Sequence, residues 1–408
     1  MEGKKRRILI VADAGTSTGF AQVTHNLIKQ LYHEWDIHVL AINYFGDPHP
    51  IQQFAKLYNP QAKVVGDNYG YSRIIELQRT LKPDVVFYIN DPWVLMQYLQ
   101  AMGKPPTIPH VFYTPVDGKN LKKPFITPLN DFSHGVAYTE FGAEALKLGG
   151  FTKPLSVIPH GVDTEIFHPV DRLEARAKSG GDISDWYIVQ VVDRNTPRKR
   201  IDLAIYGFAR WVHETNKPDT VKFYYHGALK DEGYDLLQLA DYYGVGDRMM
   251  VTGLNLDMSK GIDLKDMKYI YSLADVKVSM SGGEGWGLTT MESMACGVPN
   301  IVLDAAALGE WPRGGVEYVE PSDIPTTNIF GLNTIHAQPK IESYVAALEK
   351  LYTDKAYRLS LGQAGREIVT QDKFKWSTIA KQFDIVFTEA IDHGKSDSNG
   401  EGVSTFTW

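Results

Sequence analysis

Cysteine is nearly absent. Cys296 is the only one in 408 residues, so no intrachain disulfide can form and a reducing compartment, the cytoplasm, is expected. Long apolar runs are missing too. After the basic start MEGKKRR, read as a solvated lead-in, the run Ile8–Ala12 is too short for a signal-peptide core and Asp13 interrupts it. No other segment reaches membrane-span length, so no integral membrane segment is expected. Neither sign of charge dominates: 42 Lys and Arg against 49 Asp and Glu give a net −7. That disfavours a protein that simply coats nucleic acid or an anionic membrane, and leaves room for a local basic cleft. There is no short repeat, which excludes a solenoid. No His, Cys and Asp cluster has metal-ligand spacing, so no metal is expected. No lysine follows Gly19, so the first glycine turn is not a G-x-K-[ST] phosphate loop.

What is present is an ordinary globular composition, 43% hydrophobic and 22% charged, in a chain long enough for two domains. Arg7–Ala12 reads as a strand buried on both faces, Asp13–Gly19 as a glycine-punctuated turn, and Phe20–Tyr32 as a helix. This is the first βα unit of a dinucleotide-type half. Further strands are predicted at 37–42, 84–89, 110–114 and 135–139, and an irregular excursion over 43–60. Residues 171–182 are polar and read as a linker, after which the pattern restarts with strands at 186–192, 221–227, 249–253 and 276–280. Ligands of open α/β sheets bind beyond the carboxyl ends of strands. Gly15, Gly19, Asp91, Trp93 and Asp117 occupy such places, although either aspartate would serve equally as a cap or turn former.

The chain is organised around residues 281–310. Strand-like Val276–Met280 leads into Gly282, Gly283, Gly285 and Gly287, then into a helix carrying Leu288, Met291, Met294 and Ala295, which Gly297 and Pro299 stop. A glycine loop before a helix start offers unpaired N–H groups to an anion. Glu284 and Glu292, seven residues apart, would repel that anion, so they suit neutral hydroxyls beside it. Arg194 and Lys199 lie in the turn after the strand 186–192, where they can neutralise a diphosphate without a metal. The same residues would also make a solvated basic turn and an ordinary strand–turn–helix.

Glu284-Gly-Trp-Gly-Leu-Thr-Thr-Met-Glu292, with Ser-Met-Ala-Cys-Gly-Val-Pro after it, resembles the E-x7-E signature of retaining glycosyltransferases of family four. Residues 155–169, with Ile-Pro-His-Gly-Val-Asp, resemble the segment that closes that family's N-terminal domain, and 193–200 resemble its G-R-x3-R-K-G motif, with Asp193 and Arg200 where glycines are usual. The resemblance implies the glycosyltransferase-B fold: two Rossmann-like α/β domains facing a central cleft. The N-terminal acceptor domain would span 1–170, the linker 171–182, and the nucleotide-sugar donor domain 183–375. A helix at 376–392 would cross back, followed by a flexible tail at 393–408. It also implies transfer of a sugar from a nucleoside diphosphate, the donor being a substrate and no cofactor being needed. Arg194 and Lys199 would grip the diphosphate and Glu292 the ribose. Glu284 would hold the transferred sugar, with Asp117 completing the catalytic set. Gly285, Trp286, Gly287, Leu288, Gly15, Gly19 and Gly253 would line the donor. The family's histidine before the aspartate equivalent to Asp117 is Val116 here.

Acceptor contacts are expected from Asp91, Trp93 and Lys119. Aromatic and basic residues over 43–68 and 115–128 suit a saccharide or lipid-linked glycan, or a hydroxylated base in DNA. A nucleotide-sugar epimerase or phosphorylase of the same fold leaves the paired glutamates unexplained, and a phosphorylase also lacks an identifiable cofactor-bearing lysine. A non-catalytic sugar-nucleotide sensor is the remaining alternative.

Overall fold

The computed structural model describes residues 5–16, 18–178, 183–252, 262–328 and 332–398. The chain forms two compact units. The first comprises Met1–Pro115, Leu121–Pro159 and Trp376–Trp408; the second comprises Val116–Asn120 and His160–Lys375.

The first unit is built on seven parallel strands: β1 (Arg6–Asp13), β2 (Trp35–Ile42), β3 (Lys56–Tyr58), β4 (Val85–Ile89), β5 (His110–Thr114), β6 (His134–Ala137) and β7 (Leu155–Val157). Their order is β3-β2-β1-β4-β5-β6-β7. Ile8 to Ala12 and Val85 to Ile89 are wholly buried, because helices cover both faces of a parallel sheet. Thr18 starts the helix Gly19–Leu31 by accepting from the Ala21 N–H at 3.2 Å. The helix Trp376–Ser398 belongs to this unit and packs on its sheet. Phe383 lies 5.1 Å from Phe87 and 4.9 Å from Tyr113, ring to ring, and Trp35 donates to Asp384 at 2.8 Å. Phe383 is fully buried. Phe383→Ala should therefore cost about 3–5 kcal/mol, read as a lower urea midpoint with an unchanged slope.

The second unit has six parallel strands: β8 (Tyr187–Val192), β9 (Val221–His226), β10 (Met249–Val251), β11 (Val276–Ser279), β12 (Asn300–Leu303) and β13 (Glu317–Val319), in the order β10-β9-β8-β11-β12-β13. Both orders grow outward in two directions from the first strand. The place where the direction reverses lies between β1 and β4 in one unit and between β8 and β11 in the other, and such places open crevices at the strands' carboxyl ends. Two Rossmann-like α/β units are thus present, as expected. Among the described residues no helix is long and apolar enough to cross a membrane.

Several boundaries differ from the expected ones. The first unit's central segment ends at Pro159, and His160–Pro169 goes with the second unit. Most of the presumed linker is the helix Arg172–Lys178, whose buried Arg176 donates to Asp275 at 2.7 Å; residues 179–182 lie outside the described chain. Within the excursion over 43–60 lies β3. A short antiparallel pair, β14 (Thr326–Thr327) and β15 (Ile335–His336), was not anticipated. Val116–Asn120 groups with the second unit because Lys119 and Ile335 exchange both backbone hydrogen bonds, at 3.0 and 2.9 Å.

Candidate active site

The turn after β8 and the loop after β11 flank the reversal point of the second sheet, so their side chains meet there. Lys199 closes a short 3-10 turn, Pro197–Lys199, and its Nζ lies 2.5 Å from Asp193 Oδ1 and 2.7 Å from Glu284 Oε1. Burial pulls the Lys199 ammonium down, but Asp193 and Glu284 outweigh it and hold its proton more tightly than usual. Burial likewise pushes the Glu284 carboxyl up, yet Lys199 and Arg198 hold it well below the usual carboxylate range. Glu284 is therefore an anion locked between two cations.

The second of those cations is Arg198, which sequence reasoning did not single out. Its Nη1 is 3.3 Å from Glu284 and its Nε 3.3 Å from Asp117, and it also donates to the Gly283 carbonyl. Arg194 behaves differently. Its guanidinium is paired with both oxygens of Asp231, at 3.0 and 2.8 Å, and is more than half exposed. Of the expected cationic pair only Lys199 reaches Glu284; Arg198, its neighbour in the turn, is the second cation there, while Arg194 is held by Asp231.

Asp117 arrives with the Val116–Asn120 segment. His336 of β15 approaches it at 3.5 Å through Nε2. Burial raises the Asp117 carboxyl, and His336 with Arg198 more than reverses this, leaving it lowered. The glycine loop passes tightly between these groups: Gly282 N–H donates to the Arg198 carbonyl at 2.9 Å and Ala337 N–H to the Gly282 carbonyl at 2.9 Å. A Cβ on Gly283 would sit 1.7 Å from the Asp117 carbonyl oxygen. Gly283→Ala must push the loop off Asp117; the expected loss is about 1–3 kcal/mol, measured by urea unfolding, with Asp117 displaced in a crystal structure of the variant.

Gly287 takes φ +93, the left-handed region, and caps the helix Leu288–Ala295. A Cβ there would also meet Leu308 at 2.6 Å. The backbone N–H groups of Gly285, Trp286, Gly287 and Leu288 have no acceptor among the described residues, so they form a cradle of donors at the helix start. The Trp286 ring does not face that cradle. It stacks on Trp311 with centroids 4.9 Å apart and lies near His160 and Phe374.

Glu292 stands in the same helix, buried, and its Oε2 accepts from the Tyr271 hydroxyl at 2.5 Å. Burial pushes its carboxyl up to about 7, against the pull of Tyr271 and Lys277. Glu284 and Glu292 thus have opposite electrostatic characters: one firmly ionised, the other poised near neutrality.

In the first unit, Asp13 at the end of β1 is buried and accepts from the Thr16 and Thr18 hydroxyls, both at 2.7 Å. Gly15 abuts the backbone of Asn43, with 2.7 Å between a Cβ and its carbonyl, and Gly19 opens the following helix. Asp91 precedes the helix Pro92–Met102 without capping it through its side chain, and Trp93 in its first turn is half-buried. Lys119 contributes backbone pairing to β15 while remaining exposed. Gly253 lies outside the described residues. Among the described residues no group of three or more His, Cys, Asp or Glu side chains could hold a metal ion.

Residues 187–354 match the family model for glycosyl transferases of group 1. A D-inositol 3-phosphate glycosyltransferase of Segniliparus rotundus is 26% identical over 229 residues, covering 55% of this chain and 45% of the relative, so the chain matches less than half of that protein's length. Among solved structures, sucrose-phosphate synthase from Thermosynechococcus elongatus superposes with a TM-score of 0.72 at 19% identity, over 96% of this chain and 100% of that one. Anabaena HepE, solved with UDP and glucose, gives 0.69 at 15% identity, over 94% and 100%. The chain thus has the glycosyltransferase-B fold, and the segment that matches the group 1 glycosyl transferase model, residues 187–354, holds Lys199, Arg198, Glu284 and Glu292.

Proposed function

We propose that this chain is a retaining glycosyltransferase of family four that transfers a hexose from a nucleoside diphosphate sugar, UDP-glucose-like or GDP-linked, to an acceptor hydroxyl. The carrying observation is Glu284, buried between Lys199 and Arg198 beside the free N–H groups of residues 285–288. Cations and amide donors suit phosphate; an ionised carboxylate alongside suits sugar hydroxyls. In this reading Lys199 and Arg198 neutralise the diphosphate, joined by Arg194 when it leaves Asp231. Glu292 takes the ribose hydroxyls and Glu284 those of the transferred sugar, with Asp117 fixing the far side of Arg198.

The leaving phosphate takes the acceptor's proton on the same face, so retention needs no enzyme nucleophile. The side chains act by positioning and by stabilising the charge that develops on the leaving diphosphate. Protein cations supply that charge in place of a metal. One relative is named as a glycosyltransferase of D-inositol 3-phosphate and one solved structure as a sucrose-phosphate synthase, and HepE was solved with UDP and glucose; these names support a small saccharide or polyol acceptor and a UDP donor. A reducing compartment, the cytoplasm, fits the single buried thiol of Cys296.

The test is to incubate the purified full chain with UDP-glucose or GDP-mannose and with inositol phosphate, sugar phosphates, lipid-linked glycans and hydroxymethylated DNA. Release of nucleoside diphosphate with an acceptor product that keeps the donor's anomeric configuration by NMR supports the proposal. Epimerised donor without transfer, or binding without turnover, supports the alternatives. Salt-sensitive binding of DNA through Lys119–Lys123 would move the acceptor to nucleic acid.

A further inference from the structure

Lys277 is the one fully buried lysine among the buried polar residues of the described chain, and it sits in the middle of the second sheet. It lies on β11 in register with Gln190 of β8 and Asn300 of β12, both wholly buried, so a polar row crosses three central strands. That row faces the helices of the candidate site. Gln190 donates to the Ile270 carbonyl at 2.6 Å, beside Tyr271, and Asn300 to Ser293 at 3.2 Å, beside Glu292. Lys277 Nζ donates to Thr290 Oγ1 at 2.9 Å and Thr289 Oγ1 at 3.3 Å, in the first turn of Leu288–Ala295.

A lysine in that place costs stability twice. Its charge is stripped of water, and it stands under a helix N-terminus, whose dipole repels a cation. Gly287 supplies no side-chain cap there. A methionine would fill the same volume without either cost. An anion above the helix start reverses the second cost and part of the first.

We propose that Lys277 is a positioning residue for the donor: its ammonium, fixed beneath residues 287–290, adds positive charge to the cradle that takes the diphosphate and favours the carboxylate form of Glu292. This rests on the donor reading given above. The groups whose charge acts on it are Asp193 beyond β8, Lys199 in the following turn, Glu284 in the glycine loop and Glu292 in the helix. Burial lowers its proton affinity, Asp193 opposes, Lys199 adds to the lowering, and the result is an ammonium titrating at about 8. An arriving diphosphate raises that affinity again, so binding should draw in a proton.

The experiment is calorimetric titration of the full-length protein with UDP and with GDP at pH 8, in buffers of different ionisation enthalpy. Free diphosphate is already ionised at that pH. About half a proton should be taken up per nucleotide bound. Lys277→Met should weaken binding about tenfold, and in a Glu292→Gln background, which removes the other nearby titrating group, it should abolish the uptake that Glu292→Gln alone retains; a purely structural tie would lower stability and leave the uptake unchanged. Nucleotide binding without uptake in the wild type overturns the inference alone, and that arm stands even if the variant does not fold. Binding of neither UDP nor GDP overturns the donor reading and this inference with it.

Discussion

Replacing Lys199 by methionine should reduce sugar transfer by about 100–1,000-fold, the usual effect of removing one charge-stabilising group from a site of this kind. It should also lower stability by about 3–5 kcal/mol, since Asp193 and Glu284 are left buried with Arg198 as the nearby cation. The two losses differ in their dependence on pH. In the wild type the folded Glu284 binds its proton more weakly than the unfolded chain does. It therefore stabilises the fold above the unfolded carboxyl's value, and that contribution is lost as pH falls through the lower folded one. Without Lys199 the carboxyl moves up, so the variant should be closest to wild type near pH 3 and furthest from it near pH 7. Thermal melting at both pH values, alongside initial rates of diphosphate release, measures this directly.

The second large effect is expected at Glu292, with the opposite sign. Its folded carboxyl titrates at about 7 against an ordinary 4.5. The folded state holds a proton that the unfolded state releases, so stability falls as pH rises from about 4.5 to 7 and the full cost remains above. The difference corresponds to about 3 kcal/mol. Glu292→Gln removes the titration and keeps an acceptor for the Tyr271 hydroxyl. At pH 8 the variant should be more stable than wild type, melting about 5 °C or more higher, with little difference at pH 5. It should also bind UDP or GDP at least tenfold more weakly, because a neutral amide replaces the carboxylate proposed to take the ribose. A stabilising substitution that weakens ligand binding is the signature of a group kept for function rather than folding.

Much of this site was legible in the chain because its signals are local. The glycines before residue 288 and the helical spacing after it place Glu284 in a loop and Glu292 in a helix, and the structure has them there. The apolar strands of both units were likewise marked by their composition. Other parts had no local signal. Arg198, Lys199 and Arg200 are three consecutive cations, and nothing local tells that Arg198 and Lys199 meet Glu284 while Arg200 pairs with Asp202. Arg194 was expected beside Lys199, yet its partner Asp231 lies in a distant loop.

Lys277 occupies a polar place in the alternating, strand-like run Val276–Met280. Alternation shows which residues share a face, but not that helices cover both faces, so a buried lysine looks the same as an exposed one. Strands of two or three residues, such as β3, β13 and β15, are too short for periodicity, and His336 came with one of them. The helix Arg172–Lys178 was hidden by polar composition, since its buried face consists of Ala175 and the ion-paired Arg176.

The most direct measurement is a crystal structure of the full chain with UDP or GDP bound. Phosphate oxygens should lie about 3 Å from the N–H groups of residues 286–288 and from Lys199 Nζ, with the ribose on Glu292. A nucleotide seated elsewhere, with Lys199 still closed onto Asp193 and Glu284 and the 285–288 amides facing no phosphate, would contradict it.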